Sequence, residues 1–295
     1  MLSKDLLVFV LSSFVLAALA DAWFYLARDG VADLALPLLL LLYGLLRMYT
    51  PTAGALLALK LSGKGLREEL ASYLSIRGRA VLHYLAAPLL VYFALGVYTL
   101  LGLATGLVDL GKPEKVLLEQ LSRQGSFPVT AELLRALMLA QLLLAYIPAV
   151  TLNAFFALGE EIGWRGYMYR RLGSQPDLKS ITVIGTTWGL WHATAIGLLG
   201  HNYPVLRWAG VPLFIPFCIL LTAIMLPLVT RAQSILPAVS LHGALNALWS
   251  FTILATRLEG IEGEVLGGLG ALGLLSLAVV YLVLRVFFNR LARRG

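Results

Sequence analysis

The chain has 295 residues, of which 59% are hydrophobic and only 13% are charged, and its mean hydropathy is +0.84. Soluble domains carry about 25% charged residues, so a water-soluble fold of this size could not bury so much apolar surface. The formal net charge of +7 is spread between apolar runs and is not gathered on one polar domain, which argues against a nucleic acid partner. These features predict an integral membrane protein whose basic residues contact anionic lipid.

Apolar runs of spanning length predict about eight membrane helices, because a helix needs about 20 apolar residues to cross the bilayer. The runs lie near 6–27, 35–59, 80–103, 133–158, 181–199, 211–229, 235–254 and 265–288. Arg47 and Pro51 interrupt the second run, and a short span followed by an interfacial helix is one form that it can take. The chain is therefore predicted to be one all-α polytopic membrane domain, residues 1–295, without a soluble appendage.

The distribution of Lys and Arg predicts the orientation of the bundle. With eight spans and a cytoplasmic N-terminus, 16 of the 23 basic residues fall on the inside, a bias typical of cytoplasmic segments. The seven outside residues are Arg28, Lys112, Lys115, Arg123, Arg135, Arg207 and Arg257. Both termini are thus predicted to be cytoplasmic, and the long outside loop at 104–132 is expected to hold a surface amphipathic helix.

The first 20 residues resemble a signal peptide that ends in the small-residue sequence Ala18-Leu19-Ala20. The apolar pattern continues beyond this point through Trp23-Phe24-Tyr25-Leu26, which makes the run longer than a usual signal core. We therefore expect the segment to be retained as the first span.

Charged side chains inside a membrane are candidates for function, because each costs roughly 3 kcal/mol or more at the centre of a span. Glu160 and Glu161 follow the apolar run that ends at Leu158. Arg165 lies four residues after Glu161 and shares its helix face, where the two can form an ion pair. Glu160 points about 100° away and lacks that partner, which suits it for proton transfer. Taken alone, the pair is equally compatible with an ordinary charged helix end.

Three further polar residues lie within predicted spans: His192 in the fifth, and His242 and Asn246 in the seventh. His242 and Asn246 are four residues apart and share one helix face. A lone membrane histidine is more often a hydrogen-bonded core residue. Together with the glutamate pair, however, these residues occupy three separate spans, and each needs a polar partner in a dry bundle.

Other unusual residues lie near this polar set or elsewhere in the spans. Tryptophans close to the set are predicted to wall a pocket, namely Trp164, Trp188 and Trp191. The single cysteine, Cys218, is expected to be a packed, inert thiol, because one cysteine forms neither an internal disulfide nor a thiolate cluster. His83 and His201 are expected to serve interfacial roles.

The polar set contains the groups needed to cleave an amide with water, which are a general base and donors for the oxyanion. Glu160, helped by His192, can activate the water, and His242 and Asn246 can donate hydrogen bonds. Two histidines and a carboxylate can also bind catalytic zinc, so a site made from Glu160, His192 and His242 remains an alternative. The chain has no Gly-x-Ser-x-Gly or His-Glu-x-x-His motif, and Asp21 is the one aspartate in a predicted span.

At these residues the chain resembles the CAAX prenyl protease and bacteriocin-processing (CPBP, also called ABI) family of glutamic intramembrane proteases. The family motif Glu-Glu-x-x-x-Arg is matched by Glu160–Arg165, and its Trp-Arg-Gly-Tyr continuation is typical of prokaryotic members. The motif Phe-x-x-x-His corresponds to Trp188–His192, with tryptophan in place of phenylalanine, and His-x-x-x-Asn corresponds to His242–Asn246. All three motifs lie in the family's order within residues 155–250.

The resemblance implies that Glu160 and His192 activate water, that His242 and Asn246 form the oxyanion site, and that Glu161 and Arg165 support the architecture. It also implies a polar cavity open to the cytoplasm and the bilayer, no required metal, and prenylated CAAX-type or other membrane-associated peptides as substrates in a prokaryotic cell membrane. The alternatives are a non-proteolytic scaffold or immunity-type member of the family, a zinc-dependent protease and a small-solute or proton transporter.

Overall fold

A computed structural model describes residues 3–32, 35–123 and 130–292. Within these ranges the chain is helical and has no β-strand apart from an isolated antiparallel bridge between Val108 and Thr256. The α-helices are α1 (Lys4–Ala27), α2 (Leu36–Met48), α3 (Thr50–Leu61), α4 (Leu66–Tyr73), α5 (Ala80–Ala86), α6 (Pro88–Ala104), α7 (Lys112–Arg123), α8 (Ala131–Leu144), α9 (Tyr146–Val150), α10 (Leu152–Glu161), α11 (Tyr169–Arg171), α12 (Leu178–Trp191), α13 (Val211–Ala232), α14 (Leu236–Leu248), α15 (Ser250–Ala255), α16 (Gly260–Leu266) and α17 (Ala271–Ala292). Shorter segments are the π-helical Ile162–Met168 and Ala195–Leu199 and the 3-10 turns Arg28–Gly30 and Arg207–Gly210.

Seven helical stretches of the described ranges are long and apolar enough to cross a bilayer, so the predicted all-α polytopic membrane bundle is confirmed. They are Lys4–Gly30, Leu36–Leu61, Ala80–Ala104, Ala131–Val150, Arg207–Ala232, Leu236–Ala255 and Gly260–Arg290. Each of the seven corresponds to one predicted span. The eighth predicted span, at 181–199, has no counterpart among them. There α12 is only 14 residues long, the α-helical hydrogen-bond ladder is interrupted at His192, and the helix then passes into the π-helical segment Ala195–Leu199. Breaks of this kind are common where a helix carries functional side chains.

The second span bends in the middle and does not divide into a span and an interfacial helix. The stretch Leu36–Leu61 contains α2 and α3, which meet at Tyr49, two residues before Pro51. Helix α10 and the π-helical segment that follows it pack closely against this bend. A Cβ atom at Gly159 would lie 2.7 Å from a backbone oxygen of α2, and a Cβ atom at Gly163 would lie 2.9 Å from the carbonyl oxygen of Pro51. Small residues allow such close approach of membrane helices.

The buried core lies around α13 and α14, of which α14 carries the third motif. Their spans are the most enclosed of the seven found in the described ranges: in their most apolar 18-residue windows, 61% and 67% of the residues are buried, compared with 11% for Ala131–Val150. The outer helices instead expose large apolar side chains, such as Leu19 of α1 and Leu143 of α8, which are 61% and 63% exposed. Exposed apolar surface of this extent fits contact with lipid.

The long loop at 104–132 contains the helix that the sequence predicts. Helix α7 occupies Lys112–Arg123, and Glu114 on it forms an ion pair with Arg135 of α8 across 2.5 Å. Residues 124–129 of the loop lie outside the described residues.

Candidate active site

Four polar residues from the three motifs converge on one cavity of about 440 Å³. Glu160 at the end of α10, His192 at the end of α12, and His242 and Asn246 on α14 all line it. The rest of the wall is largely apolar and includes Phe214, Phe217, Leu221, Leu245, Trp249, Ile253 and Leu269. The size and the mixture of apolar wall and few polar groups are typical of ligand sites.

Glu161 and Arg165 form the ion pair that their spacing predicts. Nη1 of Arg165 lies 2.9 Å from Oε1 of Glu161, and both side chains are fully buried. Arg165 also donates from Nη2 to Oγ1 of Thr222 on α13 at 3.0 Å. The pair lies behind the cavity wall, where the ladder of α10 widens into the π-helical segment Ile162–Met168. Because a buried charge needs partners, these contacts tie α10 firmly to α13.

Glu161 has a second partner that the sequence analysis did not find. Nδ1 of His242 lies 2.9 Å from the same oxygen, Oε1 of Glu161. Because an ionised carboxylate only accepts hydrogen bonds, this contact assigns a hydrogen to Nδ1 of His242. A neutral His242 then presents an acceptor at Nε2, whereas a protonated ring presents a donor there. The carboxylate of Glu161 therefore fixes the orientation of the His242 ring.

Glu160 has different surroundings from its neighbour. Its Oε2 accepts a hydrogen bond of 2.7 Å from the indole Nε1 of Trp188, and its side chain takes part in none of the ion pairs found in the described residues. Within the same ranges its other oxygen, Oε1, forms no hydrogen bond, and the residue lines the cavity. The structure thus separates the two glutamates into an ion-paired one and one that faces the cavity.

His192 is held by the same tryptophan. Its Nδ1 lies 2.8 Å from the carbonyl oxygen of Trp188, and since a carbonyl only accepts, Nδ1 carries the hydrogen. In the neutral ring Nε2 is then free to accept a proton. Trp188 is also in edge contact with the ring of His242 at 5.3 Å and lies under the guanidinium of Arg165 at 4.1 Å. Trp188 therefore contacts both candidate proton-transfer groups and joins them to the buried ion pair.

Of the three tryptophans predicted to wall the pocket, Trp188 lines the cavity, whereas Trp164 and Trp191 lie behind its wall. The indole of Trp191 is turned toward α1 and α3, where its Nε1 donates to Oγ1 of Thr50 at 3.2 Å. Trp164 packs against Trp191 and Phe9 with ring centroids 6.0 Å and 5.3 Å apart. Both residues belong to the core between the first span and the motif helices.

The cavity wall also contains residues that the sequence analysis assigned elsewhere. Arg47 was counted among the cytoplasmic basic residues, but it lines the cavity, is 6% exposed and donates from Nε to Oδ1 of Asp21 at 2.8 Å. His201, expected to have an interfacial role, lines the same cavity, as does Tyr43. The available signal was that Asp21 and Arg47 are both ionisable residues within apolar runs, and such residues pair when buried.

The alternative zinc site can be compared with this geometry. Glu160, His192 and His242 line one cavity, but no group of three or more His, Cys, Asp or Glu side chains in the described parts of the chain is arranged to hold a metal. Cys218 is free and buried, as expected for a packed thiol.

Comparison with known proteins assigns the motif region. Residues 133–248 match the family described as Rce1-like, type II CAAX prenyl endopeptidase, and this stretch contains all three motifs. A curated relative, CAAX prenyl protease 2 of Methanococcus maripaludis, is 27% identical over 154 residues. The alignment covers 50% of this chain and 54% of that protein, so the chain spans about half the length of the relative that it matches. No solved structure matches the chain significantly.

Proposed function

Because the chain belongs to the CAAX prenyl protease (CPBP) family, we propose that it is an intramembrane endopeptidase that uses a glutamate-activated water. Its substrates would be prenylated CAAX-type or other membrane-associated peptides. The observation that carries the proposal is the meeting of Glu160, His192, His242 and Asn246 in one cavity, although they come from three separate helices of a membrane bundle.

In the proposed reaction Glu160 is the general base. Its Oε2 is held by the indole of Trp188, so Oε1 is the oxygen available to a water in the cavity. Nε2 of His192, free because Nδ1 is bound to a carbonyl, is a second acceptor that orients the same water. The water attacks the scissile carbonyl carbon as Glu160 takes its proton, and the proton is then passed to the leaving amine as the carbon–nitrogen bond breaks.

The oxyanion formed by this attack needs hydrogen-bond donors. Asn246 has an amide N–H group, and a protonated His242 has an Nε2–H group, since Glu161 holds its Nδ1 side. In other enzymes one such donor contributes roughly 2.7–4 kcal/mol. The largely apolar wall of the cavity strengthens these interactions relative to water.

The proposed location is the cell membrane of a prokaryote, with both termini in the cytoplasm. The bias of basic residues toward the inside supports this orientation. Arg47 and Arg165 are buried within the bundle and no longer belong in that count, but removing them leaves most of the remaining basic residues on the inside.

The proposal is tested by incubating the detergent-purified chain with a farnesylated CAAX peptide and identifying the products by mass spectrometry. We expect cleavage by the unchanged protein and loss of cleavage in Glu160→Gln, which keeps the shape of the side chain but removes the base. Glu262→Gln is the matched control, because Glu262 is exposed on α16 and away from the cavity.

Three other outcomes of this experiment would contradict the proposal. Cleavage that survives in Glu160→Gln refutes the glutamate mechanism. Loss of activity with a chelator, together with stoichiometric zinc in the purified protein, favours the metal-dependent alternative. Binding of the peptide without any cleavage favours a scaffold.

A further inference from the structure

A buried arginine lies in the cavity wall outside the three motifs. Arg47, on α2, lines the cavity together with Glu160 and His192. In the described part of the chain it is the one Lys or Arg among the lining residues, since Arg165 lies behind the wall. A full positive charge inside a membrane bundle is costly, so its position requires an explanation.

The guanidinium of Arg47 is held rigidly by its neighbours. Nε donates to Oδ1 of Asp21 at 2.8 Å, Nη2 donates to the carbonyl of Trp191 at 3.3 Å, and the group lies 3.9 Å from the Trp191 ring centroid. Asp21 is itself fully buried and accepts further hydrogen bonds from Tyr43 at 2.6 Å and from Thr194 at 2.5 Å. These contacts fix the arginine in one orientation beside the cavity.

The same contacts leave part of the guanidinium available. An arginine side chain has five N–H donors, and the hydrogen bonds to Asp21 and Trp191 use two of them. Within the described residues Nη1 of Arg47 has no hydrogen-bond partner. This atom is not fully buried, so a ligand can reach it. A planar guanidinium with free N–H groups is the side chain best suited to a carboxylate.

We infer that Arg47 binds the C-terminal carboxylate of the peptide substrate, an assignment that rests on the proposed endopeptidase function. A carboxylate that enters a cavity with a largely apolar wall loses hydration and needs a positive partner. In a C-a-a-X peptide the carboxylate lies three residues beyond the prenylated cysteine, and three residues span at most about 11 Å. Arg47 and Glu160 line the same cavity of about 440 Å³, so one short peptide can reach both.

Asp21 completes this arrangement. It balances the charge of Arg47, which lowers the cost of keeping the cation in the membrane. When the carboxylate binds, the guanidinium bridges two acidic groups, as arginine does readily because its donors point in several directions. Arg47 would thus favour a scissile bond close to the C-terminus of the substrate.

The test compares two farnesylated CAAX peptides that are identical except for a C-terminal carboxylate or carboxamide. For the unchanged enzyme we expect the KM of the amide to be about tenfold or more higher than that of the acid, as for a lost charge-assisted hydrogen bond. In the double variant Asp21→Asn/Arg47→Gln, which removes both charges together, the ratio of the two KM values should fall to about one. Arg135→Gln is the control, because Arg135 is exposed and distant from the cavity, and it should keep the ratio.

A second measurement does not depend on the folding of a variant. The free tripeptide released from the acid substrate should inhibit the unchanged enzyme competitively, and its amide should inhibit about tenfold less. Equal KM values for acid and amide, equal inhibition by the two tripeptides, or an unchanged ratio in a folded double variant would overturn the role of Arg47 while leaving the endopeptidase function intact. Failure of the unchanged protein to cleave either peptide would instead refute the proposed cleavage of prenylated CAAX peptides, and the role of Arg47 with it.

Discussion

Replacing Trp188 by phenylalanine tests how the candidate base is held. The indole of Trp188 is the hydrogen-bond donor to Glu160, at 2.7 Å, and phenylalanine, the residue usual at this position of the family motif, cannot donate. The substitution keeps an aromatic ring between His192 and Arg165 but removes the N–H group. We therefore expect Glu160 to lose its fixed orientation while the surrounding helices stay packed.

The size of the effect follows from the chemistry of that contact. Hydrogen bonds to charged groups contribute roughly 1.5–3 kcal/mol, and about 1.36 kcal/mol corresponds to a tenfold change in rate. If the bond serves mainly to orient the base, kcat of Trp188→Phe should fall roughly tenfold to a hundredfold.

The control is Trp164→Phe, which makes the same change in size at a buried site nearby. In the described residues Nε1 of Trp164 has no hydrogen-bond partner, and the side chain lies behind the cavity wall, so this variant loses packing but no hydrogen bond. The assay measures kcat at saturating peptide for both variants, together with the midpoint of thermal unfolding in detergent. Similar midpoints with a selective loss of kcat in Trp188→Phe are expected.

A role of Trp188 in holding Glu160 would be refuted if its phenylalanine variant kept a kcat within about twofold of the Trp164→Phe control. In that case the 2.7 Å hydrogen bond would have no part in orienting the base.

Two further predictions concern stability, and both are measured by thermal unfolding of the purified protein in detergent. Arg165→Gln should destabilise the bundle by about 3–5 kcal/mol, because it removes the guanidinium partner of the buried Glu161 carboxylate. Thr222→Val, which removes the hydrogen bond from the same guanidinium and the one from the Thr222 hydroxyl to the carbonyl of Cys218, should cost less, about 2 kcal/mol, and equal losses in the two variants would contradict the importance of the ion pair. Gly159→Ala should cost about 1–3 kcal/mol, since its Cβ would meet a backbone oxygen at 2.7 Å, whereas Gly96→Ala has open space and should be neutral or stabilising. Equal midpoints for the two alanine variants would show that α10 does not need its close approach to the bend of the second span.

Local features of the site were predictable because they depend on helix geometry over one turn. The Glu161–Arg165 ion pair follows from a four-residue spacing, and the separation of Glu160 from it follows from the angle between adjacent residues. The same holds for His242 and Asn246, which line one cavity from one helix. The break in α12 at His192 was not predictable in this way, because the apolar pattern of that span continues across it.

Contacts between distant parts of the chain were not predictable from one sequence. The contact from His242 to Glu161 joins residues 81 positions apart, and the pair of Asp21 and Arg47 joins residues 26 positions apart. In each case the sequence marks an ionisable residue as unusual in a membrane but does not identify its partner. The positive-inside count included Arg47 as a basic residue in an interrupted apolar run, and only the structure shows that its side chain is buried.

Composition alone determined that this chain is a membrane protein, because no soluble fold could bury 59% hydrophobic residues, and the motifs alone marked Glu160, His192, His242 and Asn246, which line one cavity. Only the tertiary structure decided which polar groups face one another: Trp188 toward Glu160, Glu161 toward His242, and Arg47 toward Asp21 beside the cavity. The physical reason is that hydrophobicity and helical period are properties of a single segment. The pairing of buried polar groups depends instead on how several helices pack. A polar group inside a membrane bundle needs a partner, but the sequence of its own helix does not say which residue that partner is.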